Sequence, residues 1–554
     1  MDYKLEPHQH ATLGRAWQAY MARRRDYLPL FDDPGVGKTP VYVNLASRIA
    51  QHRASAGHQR PVTWLITENT ARTSQRDKVF QFDPRFDGNR DPLGVIILEG
   101  SYDDRQTQIQ MSAALRAPWV IMNYNQLVIH AEDLLQWFSP DDILIADEAD
   151  LASPSGNNVS QRFNVVKALA CIAHYRIAAT GSPIRNRVDT LYNLFLMLDP
   201  TRIVQEQVEL GTRMVTMPQP YESKFWGKRY ADFLYRYGVF DGDRLIDIQR
   251  KQELHDRLLE YGASLTTKDV LGIERDKPQV ITHPLSDGQR RTYEMVKQGY
   301  LEMAEAIENE YRYRYGERAS ALQSFLAQIS YARFVPGLSP TNFKRVVALN
   351  RAKRLGKDTL LSLVEYLHLD QMVEDGENAR VDEALRLVST FDWERDGGII
   401  FYSPFKEVVK ELGAAVERYG YADRYGFGLI TGDVSAKERD AVRQRVADGT
   451  CRIVAISNAG GRSIDLTNLN VAVSLITPWT HTEEEQAMGR IERWGQARPV
   501  KTIYLAADNT IETKHMLGLL GGKGRASDDV KSGRRGRRMH FEDIASAYDV
   551  VGWL

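Results

Sequence analysis

Residues 32–39 read Asp32-Asp33-Pro34-Gly35-Val36-Gly37-Lys38-Thr39 and run into the helix-like stretch Val41-Tyr42-Val43-Asn44-Leu45-Ala46. A glycine-rich turn that opens a helix aims backbone N–H groups at one point, and the helix dipole makes that point attractive to an anion. In such a loop, built on Gly35 and Gly37, Lys38 reaches the outer phosphates of a nucleotide and Thr39 offers a hydroxyl to Mg²⁺. Two features pull the other way. The strict pattern has glycine six residues before the lysine, where Asp32 stands, and the apolar run before the loop, Tyr27-Leu28-Pro29-Leu30-Phe31, contains a proline that weakens it as a strand. On this stretch alone, an ordinary turn before a helix stays open.

Outward from the loop, short apolar runs alternate with helix-length segments. They are Trp64-Leu65-Ile66, Val95-Ile96-Ile97-Leu98, Trp119-Val120-Ile121-Met122, Ile143-Leu144-Ile145-Ala146 and Ile177-Ala178-Ala179. Strands apolar on both faces predict a parallel sheet covered by helices. The fourth run is followed by Asp147-Glu148-Ala149-Asp150, which places acids at the carboxyl end of a buried strand, where open α/β sheets put ligands. There Asp147 can hold Mg²⁺ and Glu148 can orient or deprotonate a water; a helix cap is the plainer alternative. The rhythm returns at Ile399-Ile400-Phe401, Leu429-Ile430, Ile453-Val454-Ala455-Ile456, Val473-Ser474-Leu475-Ile476 and Ile503-Tyr504-Leu505.

The sequence therefore predicts two α/β lobes, 1–275 and 391–515. Residues 276–390 are expected to link them. Residues 200–260 and 290–390, rich in charge, Tyr and Leu and without buried-strand runs, are expected to be mostly helical insertions. The end, 516–554, reads as a flexible tail: 521–538 carries seven basic and two acidic residues with five glycines, either a solvated terminus or a nucleic-acid contact. Over all 554 residues, 72 Lys and Arg balance 73 Asp and Glu, which excludes a uniformly basic protein but not a local basic groove. Two cysteines, Cys171 and Cys451, exclude a disulfide framework or a four-thiolate zinc site and suit a reducing compartment. No apolar run reaches the roughly 18 residues of a membrane span. The expected setting is cytoplasmic, in a bacterium or a phage-infected host, with no membrane partner. No HExxH and no nucleophile elbow is present.

A GKT loop followed about a hundred residues later by DEAD after a strand resembles superfamily 2 helicases and translocases, and further segments resemble their Swi/Snf-type branch. Arg176-Ile177-Ala178-Ala179-Thr180-Gly181-Ser182-Pro183-Ile184-Arg185-Asn186, continuing to LYNLFLMLDP, is similar to that branch's TGTP-x-x-N segment. LTTKDV (265–270), Pro278 and Gln289 resemble its inter-lobe junction. Gly432, Lys437 to Arg439, Ser457, Ala459-Gly460-Gly461, Trp479 and Gln486-Ala487-Met488-Gly489-Arg490-Ile491-Glu492-Arg493-Trp494-Gly495-Gln496 follow in the family's order. The departures are Asp150 for the branch's usual His, Leu265-Thr266 for Arg-Arg, Ser463 for Gly and Asp465 for Asn.

The resemblance implies a fold of two RecA-like lobes with parallel sheets, of the P-loop NTPase type, with helical insertions. It implies ATP and Mg²⁺, with Gln9 as the adenine-reading glutamine, although the motif is short enough for an unremarkable polar residue. Asp465 joins the nucleotide set. If 486–493 is helical, Gln486, Arg490 and Arg493 share a face at i, i+4 and i+7, and the two arginines act as fingers on the transferred phosphoryl group. Without the family match, a salt-bridged surface helix is the favoured reading, since Glu483, Glu484, Glu485 and Glu492 lie nearby in sequence. The expected site thus draws on both lobes. A motor must grip phosphates and ignore base edges, and by position the candidates are Asn123, Tyr124, Thr180, Arg185, Asn186, Ser457, Gly460, Gly461, Arg462 and Trp479, the last also suited to a core. The expected partner is DNA, double-stranded or branched, and the expected state without DNA is a monomer. A DEAD-box helicase that separates DNA or RNA strands is the second reading, and a non-hydrolysing nucleic-acid-binding scaffold the third.

Overall fold

The computed structural model describes residues 5–69, 71–87, 90–152, 160–181, 183–184, 188–223, 230–241, 244–262, 264–266, 270, 278–310, 330–354, 363–457, 464, 466–477, 490–492, 496 and 498–516. The chain divides into two compact units, and the break falls between Ile273 and Glu274.

The first unit runs α1 (Pro7–Met21), β1 (Tyr27–Leu30), α2 (Lys38–Ser55), β2 (Thr63–Thr67), α3 (Arg72–Phe82), β3 (Val95–Ile97), α4 (Tyr102–Ala114), β4 (Trp119–Asn123), α5 (Tyr124–Ile129), α6 (Ala131–Trp137), β5 (Ile143–Asp147), α7 (Gln161–Ile172), β6 (Tyr175–Ala179) and α8 (Asp189–Leu198). Its six strands form one sheet in the order β1-β6-β5-β2-β4-β3, with every pairing parallel. Because side chains alternate across a strand, Trp64 and Ile66 enter one core and Leu65 the other, so both faces are dry. Polar side chains start the crossover helices: Ser101 caps α4, Asn123 caps α5 and Ser160 caps α7. The proline in β1 is tolerated because β1 is the edge strand and pairs only with β6. Parallel pairing brings all the carboxyl ends to one edge, and that edge holds the loop after β1, Asp147 and Thr180.

The expectation of a mostly helical stretch over 200–260 is corrected. Pro200–Leu210 (β7) and Arg213–Ser223 (β8) form an antiparallel ribbon, joined by a turn in which Gly211 has φ +65°. Gly238–Asp241 (β9) and Arg244–Ile248 (β10) form a second hairpin between the helices α9 (Tyr230–Tyr237) and α10 (Lys251–Tyr261). The long ribbon lays one face on the core, through Val208, Leu210, Val215 and Met217, and leaves the other wet. The apolar residues that reach the core alternate with wet ones, and no apolar run in the ribbon exceeds two residues.

The second unit begins at β11 (Gln279–His283) and continues through α11 (Asp287–Glu310), α12 (Ser330–Phe334), α13 (Pro340–Arg354), α14 (Leu363–Tyr366) and α15 (Ala379–Ser389) to β12 (Ile399–Ser403), α16 (Lys406–Arg418), α17 (Tyr421–Tyr425), β13 (Phe427–Ile430), α18 (Ala436–Ala447), β14 (Ile453–Ser457), β15 (Val471–Ser474) and β16 (Lys501–Ala507). Its sheet is again six parallel strands, in the order β11-β16-β15-β12-β14-β13. Residues 276–390, expected as a link, belong to this unit. β11 is an edge strand on β16, and Tyr293, Val296, Tyr300, Phe343, Val347 and Leu385 share a core with Phe401 and Val473. Gln289, fully buried, donates to the Leu338 carbonyl (3.0 Å) and accepts from the Ala379 N–H (3.2 Å), which ties α11 to α15. Each unit is the helix-covered parallel sheet of a RecA-like lobe.

Candidate functional site

The loop between β1 and α2 is held from three sides. Gly35 and Gly37 have φ +86° and +93°, values that glycine alone takes cheaply, and α2 begins at Lys38 with Gly37 as its cap. Gly37 is required a second time by space, because a Cβ there would lie 2.2 Å from Gln9 Nε2. Gln9 spends both ends of its amide locally: Oε1 accepts from the Glu6 N–H (2.9 Å) and Nε2 donates to the Gly37 carbonyl (3.2 Å). His8 Nε2 meets the Val36 carbonyl at 2.9 Å, so the start of α1 is stapled along the loop. From the opposite side, Asp32 Oδ1 accepts from the Leu265 N–H (2.8 Å) and the Asp33 N–H donates to the Leu265 carbonyl (2.9 Å). This explains the departure from glycine at position 32: the carboxylate anchors the 264–266 stretch. Lys38 Nζ donates to the carbonyls of Asp32 (2.8 Å) and Asp33 (3.2 Å).

Asp147 closes β5, with its side chain buried. Its Oδ2 accepts from Gln75 Nε2 (2.7 Å) and Thr67 Oγ1 (3.1 Å), and Gln75 Oε1 accepts from the Tyr42 hydroxyl (2.9 Å). Tyr42 is also within hydrogen-bonding reach of the Thr39 side chain. One chain of polar contacts thus joins Thr39 to Asp147, the two expected metal ligands, through Tyr42 and Gln75. Loss of water raises the Asp147 carboxyl above its usual range, and Lys78 and Lys38 partly offset the rise. Glu148 sits in the left-handed region, φ 51° and ψ 51°, a conformation that costs a non-glycine residue about 1–2 kcal/mol. Its carboxyl is raised to about 7, first by desolvation in the packed strand end, then by Asp150 and Asp147. The side chain is itself open to solvent, which screens those charges, so the upward direction is what matters for the chemistry. Asp150 Oδ1 accepts from Thr180 Oγ1 (2.7 Å), and a Cβ on Gly181 would lie 2.8 Å from Pro34. The end of β6 is thereby wedged between the acids and the loop.

Four of the expected DNA contacts lie among the described residues. Tyr124 is 4% exposed and its hydroxyl donates to the Asp147 carbonyl (2.8 Å), so it supports the acids from beneath. Thr180 is fully buried on Asp150, and Ser457, 1% exposed at the end of β14, faces the interior. Asn123 caps α5 with its Oδ1 and donates from Nδ2 to Asn69 Oδ1 (3.0 Å). Asn123, Tyr124 and Thr180, at or just past the ends of β4 and β6, are thus hydrogen-bonded within the protein. Of the helix expected over 486–493, only Arg490, Ile491 and Glu492 are described. Arg490-Ile491-Glu492 form a turn and bend, because the Leu466 N–H takes the Arg490 carbonyl (2.9 Å) and Gln496 Nε2 takes that of Ile491 (3.0 Å). Arg185, Asn186, Gly460, Gly461, Arg462, Asp465, Trp479, Gln486, Arg493 and the tail 517–554 lie outside the described residues.

Thr67, Gln75 and Tyr42 were missed. Thr67 had a signal: it ends β2, the direct neighbour of β5. Gln75 and Tyr42, single polar residues on amphipathic helices, had none. The donor set suits a hard cation, since the Thr39 hydroxyl and the Asp147 carboxylate are both oxygens.

The family profile described as SNF2-related domain matches residues 8–330, and that of the helicase conserved C-terminal domain matches residues 379–495. Chromodomain-helicase-DNA-binding protein 1-like of Danio rerio is 23% identical over 513 residues, 90% of this chain and 41% of that protein. DNA repair and recombination protein RAD54-like of Danio rerio is 22% identical over 92% of this chain and 65% of its own length. The chain therefore spans less than half of the first relative. The Sulfolobus solfataricus SWI2/SNF2 ATPase core in complex with dsDNA is 19% identical, covering 96% of this chain and 94% of that one, with a TM-score of 0.37. With one profile reaching from residue 8 to residue 330 of 554, the chain belongs to the SNF2-related family.

Proposed function

We propose that the chain is an ATP-driven motor on DNA, a double-stranded DNA translocase of the Swi/Snf type that couples hydrolysis to movement, remodelling or branch migration. The observation that carries this is the polar chain from Thr39 through Tyr42 and Gln75 to Asp147, set beside the Lys38 loop at the carboxyl edge of a parallel sheet. ATP is the substrate. The N–H groups of the loop and Lys38 bind its phosphates, with Lys38 exchanging the carbonyls of Asp32 and Asp33 for phosphate oxygens. Thr39 and Asp147 would hold Mg²⁺, which when bound neutralises charge on the phosphates. Glu148, with a raised carboxyl, takes a proton from the attacking water. By family resemblance, Arg490, Arg493 and Gln486 are also assigned to turnover, the two arginines supplying positive charge. Membership in the SNF2-related family supports DNA over RNA.

The test is ATP turnover measured with blunt duplex, forked, Holliday-junction and single-stranded DNA and with RNA. Duplex or branched DNA should stimulate most, and Lys38→Ala should abolish turnover while DNA binding persists. Stimulation by RNA equal to that by duplex would overturn the reading.

A further inference from the structure

The ladder between β15 and its neighbours stops at Ser474, opposite Tyr402 on one side and Tyr504 on the other. Leu475, Ile476 and Thr477 continue beyond it as buried, irregular backbone, whose polar groups need partners. The Leu475 N–H still reaches the Tyr402 carbonyl (2.7 Å) and the Ile476 carbonyl accepts from Ser474 Oγ (2.8 Å), and charged side chains supply other partners. Arg380, on α15, donates to the carbonyls of Leu475 and, at 3.0 Å, Leu505. Glu512, after β16, accepts from the N–H of Thr477 (3.1 Å) and of Ala507 (3.0 Å). Arg380 and Glu512 are ion-paired with each other, and both side chains are 0% exposed. Arg333 Nη2 donates to the Thr477 carbonyl at 3.0 Å. Where β15 and β16 part, the pair replaces the missing rungs, and both backbone groups of Thr477 end on buried charge. Burial alone would raise the Glu512 carboxyl, but Arg380 and the two N–H donors hold it below its usual range.

A buried ion pair is no better than apolar residues for stability as such. Here it does what apolar residues cannot, because it fixes four backbone groups (Leu475 O, Leu505 O, Thr477 N and Ala507 N) at a strand exit. Thr477 leads directly into the stretch that carries Trp479, Gln486 and Arg490. We propose that Arg380 and Glu512 are positioning residues for the motor: by locking the exit of β15 they set where that stretch begins, and so govern turnover rather than nucleotide affinity. This rests on the function proposed above.

Two measurements on the full chain test it, with Glu512→Gln and Arg380→Lys. In the first, amide exchange over 471–493 should accelerate about tenfold or more while β12 keeps the parent's protection. Unchanged exchange at 475–477 overturns the proposal whatever the protein's activity. In the second, duplex-stimulated kcat should fall by roughly ten- to a hundredfold, with KM for ATP within about twofold of the parent and partial retention in Arg380→Lys. Parental kcat in folded Glu512→Gln overturns it equally. A parent without DNA-stimulated turnover would instead sink the motor reading, and the exchange measurement would still decide the role of the pair. Should Glu512→Gln fail to fold, Arg380→Lys carries both measurements.

Discussion

The carboxylate of Asp147 depends on a neutral side chain two elements away. Gln75 both donates to Asp147 and accepts from Tyr42, so Gln75→Leu would strip Asp147 of its shortest hydrogen bond and take from the buried Tyr42 hydroxyl its Gln75 acceptor. We expect kcat to drop by roughly ten- to a hundredfold and the Mg²⁺ requirement to rise, as losses in the outer support of a metal ligand generally do. A titration of turnover against Mg²⁺ reads both. Glu148 makes the second residue-scale prediction. A base works only when unprotonated, so a carboxyl raised to about 7 makes turnover climb as pH rises through neutrality and fall below it. An ordinary glutamate, near about 4.3, would give a flat profile over the same window. A pH–rate curve of the parent that stays level from pH 5 to 8 would argue against Glu148 as the base. At this scale Lys38, Asp147 and Glu148 were legible because each sits in a short contiguous motif. Gln75, Tyr42 and the burial of Thr180 were not, because they arise from elements that meet only once the sheet has formed.

Among elements, legibility followed how each strand is covered. β2, β4, β5, β12 and β14 are central and dry on both faces, and they stand out as apolar runs. The ribbon β7–β8 and the edge strand β11 keep one face wet, and β11 reads Gln279-Val280-Ile281-Thr282-His283, which no run would flag. Apolar runs detect burial and not extension, so half-exposed strands escape them. The other edge, β1, is guarded by the 262–266 stretch: a Cβ on Gly262 would lie 2.4 Å from the Pro29 carbonyl. Backbone cannot swing aside as a side chain can, so Gly262→Ala must push that stretch away from Asp32 and Asp33. We expect a loss of about 1–3 kcal/mol in unfolding free energy. Nucleotide affinity should weaken with it, since the same stretch is hydrogen-bonded to the loop at Leu265. Thermal unfolding and a nucleotide titration on the same variant would show the two effects together; unfolding alone would place the loop's support elsewhere.

Over the whole molecule, 72 basic and 73 acidic residues cancel to a net charge of −1, so the DNA binding proposed above cannot come from bulk charge. Attraction has to be local, and it has to act against a near-neutral background. One strongly cationic stretch is 521–538, with seven basic residues against two acidic. Each cation that neutralises a phosphate releases a counterion, so the logarithm of DNA affinity falls with the logarithm of salt by about 0.9 per neutralised phosphate on duplex. If the tail contributes, removing 521–554 should flatten that slope by about one unit for each phosphate it had neutralised and weaken binding most at low salt. Basal turnover without DNA, which the proposal assigns to Lys38, Asp147 and Glu148, should be untouched. Affinity measured over a series of salt concentrations separates the cases. A parallel line shifted downward would mean that the tail supports the fold rather than the DNA, and an unchanged line would mean that its cations stay in water. A flatter line with basal turnover preserved would assign part of the proposed DNA affinity to the cations of 521–538.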